Sequence, residues 1–449
     1  MKEKKSMVTD LTVGSVPKLL LIFAAPLFVS NALQAIYNVV DMIVVGQVVG
    51  GHGMSAVATG GNVLGILNFI VMGFSGAGQI IIARSVGEKD MESVKKTIGT
   101  MFTTLLAAAI VISVLCFFIR DWLLNLVNTP AEAYEYTMDY TLVCMVGLVF
   151  IYGYNIVSAI MRGMGDSKRP FMFVAIASIL NIILDILFVA VFKLEVIGAA
   201  LATVIGQAIS FIFAMIYFYK HRESFGFDFK LKSFIPHIDT IKKLSALGIP
   251  MAIQSAAITI SMTVVAAWVN SFGVVASACA GVLNKLNMLV GILSMSLTTA
   301  AGSMVGQNLG AKKYHRVPKI LLWASGCALA IVSIYIVTII SFPEAMVGLF
   351  TSDIEILTSA GIIILPSVIN AFGAVSRTFG FAIINGSGNS RLNLLVAIID
   401  GVIARISLAY ILGWKIGMGP QGFWLGDAIA GFMPFAIGSI FYFSNRWKK

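Results

Sequence analysis

A chain of 449 residues that is 58% hydrophobic and only 12% charged is not an ordinary water-soluble enzyme, for which about 25% charged residues is usual. Nor is it disordered, which takes low hydrophobicity and high charge. The net charge of +10 sits in short loops between apolar runs, with no basic face interleaved with aromatics, so nucleic acid is excluded as a partner.

Apolar spans are predicted at 17–47, 53–83, 94–119, 134–160, 171–191 and 196–219, then, after a polar linker at 220–241, at 242–270, 277–307, 317–341, 354–384, 393–413 and 419–443. Each supplies the roughly 20 apolar residues that a helix needs to cross a bilayer. The runs are continuous rather than alternating, which favours helices over a barrel. The basic start (MKEKK) precedes an apolar run too long for a signal peptide, so the run is read as a retained first helix. Of the 31 Lys and Arg, 25 fall at the N-terminus, in the loops after even-numbered spans, in the linker and in the C-terminal tail. Arg120, Lys193 and Lys415 lie in the opposite loops, and Lys285, Arg377 and Arg405 lie within spans. That asymmetry places both termini and the linker in the cytoplasm.

The two halves repeat. ARSVGEK (83–89) corresponds to GQNLGAK (306–312), RGMGDS (162–167) to NGSGNS (385–390), and Pro26 to Pro250, at offsets of 223 or 224 residues. Six spans per half is an even number, so the repeats are parallel and a substrate site is expected between them. The fold class is therefore an all-α polytopic membrane protein. Its twelve transmembrane helices form two pseudo-symmetric six-helix lobes, an N-lobe (1–219) and a C-lobe (242–449), joined by a cytoplasmic linker (220–241).

Cys116, Cys144, Cys279 and Cys327 lie in apolar stretches without CxxC spacing, and the four histidines lack metal-ligand spacing, so no disulfide framework, zinc site or cofactor is expected. Ionisable residues inside spans are functional candidates by default. Asp41 in the first span and Asp185 in the fifth each lie roughly 10 Å below the outer surface, at 1.5 Å per residue. Asn181 is one turn before Asp185, and Thr203 in the sixth span has a similar depth. Two carboxylates, an amide and a hydroxyl in one layer form a site for a hard cation such as Na⁺, or for a proton, since two neighbouring carboxylates resist double ionisation. Pro26 allows the first helix to bend. Asp427, among small residues, is read as a polar group in a tight helix contact. Asp400 and Arg405, five residues apart on one helix, are expected to face about 140° away from each other and to pair elsewhere. A structural ion-pair role is the first reading for Lys285, Arg377 and Arg405. Gln34, Met262 and Met288 are candidates for an adaptable substrate pocket.

GQNLGAKKYHR (306–316), its weaker copy ARSVGEKD (83–90), RGMGDSKRP (162–170), and LNIILDILF followed by VIGAALATVIGQ (196–207) together resemble the multidrug and toxic compound extrusion (MATE) family over essentially the whole chain. The resemblance implies a V-shaped central cavity and export of bulky, often cationic amphipathic compounds against entry of Na⁺ or H⁺. It also implies an N-lobe cation site at Asp41, Asn181, Asp185 and Thr203, with Asn155 on the fourth span and Tyr37 and Tyr140 nearby. Unlike one branch of that family, this chain has no acid in the core of its seventh or tenth span, the seventh offering Gln254.

The expected function is thus a cation-coupled antiporter in the cell membrane, working as a monomer on small-molecule substrates among membrane lipids. The alternative is a lipid-linked precursor flippase of the same superfamily. No ATP-binding GxxxxGK[ST], GxSxG, HExxH or paired acidic motif occurs, so no enzyme is expected.

Overall fold

The computed structural model describes residues 9–448; the basic residues Lys2, Lys4 and Lys5 lie outside the described residues. Among the described residues twelve helices are long and apolar enough to cross a membrane: α1 Val16–Val48, α2 Gly51–Glu88, α3 Met91–Phe118, α4 Ala131–Gly163, α5 Lys168–Val191, α6 Glu195–Lys220, α7 Ile238–Asn270, α8 Val274–Gly310, α9 Tyr314–Ser341, α10 Gly361–Gly386, α11 Ser390–Lys415 and α12 Pro420–Phe443. The predicted spans match these to within a few residues, apart from the tenth. There, Ile354–Thr358 forms its own short helix, capped by Asp353, and α10 starts only at Gly361.

The chain divides into two compact units, and both divisions fall inside helices. Among the described residues, one unit is Val29–Ile249 with Thr9 and Asp10; the other is Leu11–Phe28 with 250–448. The first half of α1 therefore belongs with the later half of the chain, and the first turns of α7 belong with the earlier half. Pro26 and Pro250 lie at these two crossings.

In the first unit, α4 is the central helix, packed on α2, α3 and α6, with α5 against α6. In the second, α10 takes the equivalent place, packed on α8, α9 and α12, with α12 also against α11. The start of α1 is held there by Leu20, Phe23 and Leu27, which join Val290, Leu297 and Met304 of α8 in one apolar core. Polar residues of the GQNLGAKKYHR stretch fasten the chain just before α1. Gln307 Oε1 accepts from Leu11 N (3.0 Å), Asn308 Nδ2 donates to Leu11 O (3.2 Å), and Lys313 Nζ donates to Thr12 O (3.0 Å). Helices in lipid lack a hydrophobic force between them and need small residues for close approach. At Gly426 of α12 an added Cβ would lie 2.2 Å from the Ala409 backbone nitrogen of α11, so only glycine permits this contact.

The linker is less polar in effect than its composition suggests. Phe225 and Phe227 are buried, and they and Phe234 pack around Phe102 of α3 and Phe218 of α6 with ring centroids 4.8–6.5 Å apart. Asp228 pairs with Lys95 of α3 at 2.8 Å and accepts from Ser233 Oγ, which holds its carboxyl well below the usual carboxylate range.

Candidate functional site

Of the polar layer read from depth, the structure brings Asp41, Asp185 and Thr203 together in the first unit, with Asn181 one turn before Asp185. Asp41 of α1 is 2% exposed, Asn181 of α5 is 3% exposed and Asp185 of α5 is 0% exposed. Thr203 Oγ1 of α6 donates to Asp41 Oδ2 at 3.4 Å. The carboxyls of Asp41 and Asp185 are close neighbours. Carboxylates only accept hydrogen bonds, so a bond between the two needs one proton held between them. With both acids ionised, Asp41 Oδ1, both Asp185 oxygens and both amide atoms of Asn181 are buried without a partner. An unmatched buried polar atom costs about 1–3 kcal/mol, more if charged.

Neighbouring helices frame the pair. Tyr37, one turn before Asp41 on α1, lies beside Gln207 of α6. Tyr140 of α4 lies beside Thr203. Gln207 escaped the sequence reading although it sits one turn after Thr203, and that i, i+4 spacing is the signal that finds it. Asn155 of α4 donates its amide to Ile151 O of its own helix at 2.8 Å, and among the described residues no hydrogen bond joins it to the carboxylates. Immediately after Asp185, α5 widens into a π-helical turn, Ile186–Val191. Such turns break the regular i→i+4 ladder and recur at functional sites.

In the second unit the expected separation of Asp400 and Arg405 is overturned. A π-helical turn, Ile399–Ala404, inserts between them; its i→i+5 pattern brings residues five apart onto one face, and Arg405 Nη2 meets Asp400 Oδ1 at 3.0 Å. Arg405 Nη1 also holds Asp427 Oδ1 of α12 at 2.5 Å. Asp427, beside Gly426, is therefore both in a close helix contact and in an ion pair. Arg377 of α10 donates to Asn370 Oδ1 at 3.2 Å. Two acids and two guanidiniums balance, unlike the two acids of the first unit. Lys285 is exposed on α8, as are Met262 and Met288, whereas Gln254 is buried and Gln34 is half-buried. Among the described residues no cluster of three His, Cys, Asp or Glu forms a metal site.

A sequence model of the MatE family matches the chain twice, at residues 26–187 and 250–411, one match in each repeat. The chain is 28% identical over 446 residues to "Probable multidrug resistance protein YpnP" of Bacillus subtilis (strain 168), covering 98% of this chain and 97% of that protein. It is 24% identical over 407 residues to "Multidrug export protein MepA" of Staphylococcus aureus (strain MSSA476), covering 89% and 88%. Among solved structures it resembles an outward-facing multidrug resistance MATE family transporter of the MOP superfamily, with a TM-score of 0.90, 22% identity and full coverage of both chains. It also resembles a MATE protein in a bent conformation, with a TM-score of 0.87 and 22% identity over 98% and 97% of the two chains. These two likenesses establish the fold.

Proposed function

The chain belongs to the MatE family of multi-pass membrane transporters, and we propose that it is an antiporter driven by H⁺ or Na⁺ that exports amphipathic, often cationic drugs and toxic compounds by alternating access. The names of the bacterial relatives support drug export. The loop charges support a plasma-membrane orientation with both termini and the linker in the cytoplasm.

The observation that carries the reading is the buried Asp41–Asp185 pair with its unmatched oxygens. A charge inside a membrane costs several kcal/mol, and two like charges in contact add to that. A proton taken up between the carboxyls removes one charge and completes the hydrogen bond. For Na⁺, Asp41, Asp185, Asn181 and Thr203 offer the oxygen ligands that hard cations take. Tyr37 beside Gln207 and Tyr140 beside Thr203 frame the pair. Pro26 gives α1 a place to bend when the charge at Asp41 is neutralised. Gln34, Met262 and Met288 remain the substrate contacts of this proposal. A drug that favours one state and a cation that favours the other oppose each other reciprocally.

The test is ethidium efflux from vesicles containing the purified transporter, with H⁺ and Na⁺ gradients imposed separately. Efflux is expected to follow one of the two gradients and to disappear in Asp41→Asn. Efflux indifferent to both gradients overturns the proposal.

A further inference from the structure

A cavity of about 340 Å³ opens where α9 begins and α12 ends, lined by Tyr314, His315, Tyr442, Asn445, Trp447 and Lys448. It straddles a boundary: Tyr442 lies within the last turns of α12, whereas Asn445, Trp447 and Lys448 lie beyond it. Its aromatic wall is held by mutual contacts. Trp447 Nε1 donates to Tyr442 O at 2.8 Å, the two rings stack with centroids 5.7 Å apart and an interplanar angle of 5°, and Tyr314 meets Trp447 edge-on at 6.2 Å. Lys448 Nζ sits over the indole, 5.3 Å from its centroid. Aromatic rings with a polar edge gather at the level of lipid headgroups.

The two stretches that line this cavity carry charge of one sign. The stretches KKYHRVPK (312–319) and RWKK (446–449) contain no acid. Lys313 and Arg316 are engaged with Thr12 and Gly14 of the chain preceding α1. Lys312, His315, Lys319, Arg446 and Lys448 are exposed, and none forms an ion pair among the described residues. Phe443 also lines the cavity; it and Ile440 are 77% and 73% exposed and lie three residues apart on one face of α12.

We infer that this cavity binds the headgroup of an anionic phospholipid. The headgroup phosphate rests between His315 and Lys448, its polar remainder against Asn445 and the Trp447–Tyr442 stack, and an acyl chain runs along Ile440 and Phe443. A soluble anion would use the basic rim but has no use for the apolar track, so the occupant is a lipid. Basic recesses between transmembrane helices at this level suit anionic headgroups. The inference stands apart from the transport reading.

The test uses the full-length protein in phosphatidylcholine bilayers containing either brominated phosphatidylglycerol or brominated phosphatidylcholine at equal mole fraction. Bromine quenches nearby indoles, and the Trp447 contribution is the difference between the wild type and Trp447→Phe. Brominated phosphatidylglycerol is expected to quench Trp447 several-fold more effectively than brominated phosphatidylcholine. His315→Ala and Lys448→Ala, both at exposed positions, should each lower that preference, roughly fivefold for the lysine. Retention of anionic lipid by the wild type and its loss from the double variant, read by mass spectrometry after delipidation, gives the same answer without Trp447→Phe. Equal quenching by the two lipids, a preference that survives both substitutions, or abolition of the preference by millimolar inorganic phosphate would overturn the assignment.

Discussion

Replacing Asp185 by Asn removes one charge from the pair while keeping its shape. Asp185 is fully buried and its carboxyl lies against that of Asp41. The amide of Asp185→Asn can donate an N–H to the Asp41 carboxylate with no shared proton, and Thr203 still donates to Asp41 Oδ2. The substitution is therefore compatible with folding. Its effect falls on the cation, which now meets one carboxylate instead of two. A unit charge 4 Å from another contributes at most about 4 kcal/mol at an effective dielectric of about 20. The new amide and local relaxation recover part of this, leaving a net loss of about 1–3 kcal/mol, or roughly 5–150-fold in cation affinity. Gradient-driven efflux of ethidium, normalised to folded transporter, should fall by at least that factor. Efflux within twofold of the wild type, with the variant present in equal amount, would refute the reasoning.

Three further outcomes are expected. A cysteine at Lys230→Cys should resist impermeant thiol reagents added outside intact cells and react after permeabilisation, because the linker is assigned to the cytoplasm; labelling from outside would reverse the topology. Arg405→Met leaves Asp400 and Asp427 without their shared partner and should cost about 3–5 kcal/mol, the range for breaking a buried ion pair, seen as a lower midpoint of thermal unfolding in detergent. The depressed pKa of Asp228 adds to linker docking above the ordinary carboxylate range, and this contribution is lost as pH falls through the folded value. Protease protection of the linker should therefore hold from neutral pH down to about 4 and weaken below it, and Asp228→Asn should weaken protection at neutral pH.

The twelve spans were legible because the bilayer sets their length and polarity, whatever the tertiary contacts. Depth alone put Asp41, Asp185, Asn181 and Thr203 in one layer, since a regular helix converts residue count into height. The same regularity misled the reading of α11. Its π turn at Ile399–Ala404 depends on contacts made elsewhere, including Ser261 Oγ of α7 donating to Gly401 O, and nothing in the local sequence announces it. The attachment of the first half of α1 to the later half of the chain was equally hidden. It rests on Gln307, Asn308 and Lys313, nearly 300 residues away in sequence, which were read as a motif without a partner. The linker phenylalanines were outweighed by the surrounding charges, and only their burial against α3 and α6 shows that they brace the first unit.

The most direct measurement of the central claim is cation release from the purified transporter on addition of drug. Protein loaded with ²²Na⁺, and in parallel protein held in weakly buffered solution with a pH electrode, is titrated with ethidium. The account predicts release of Na⁺ or protons that saturates with the drug and is absent from the Asp41→Asn/Asp185→Asn double variant. Drug binding that releases neither ion, or release undiminished in the double variant, would contradict it.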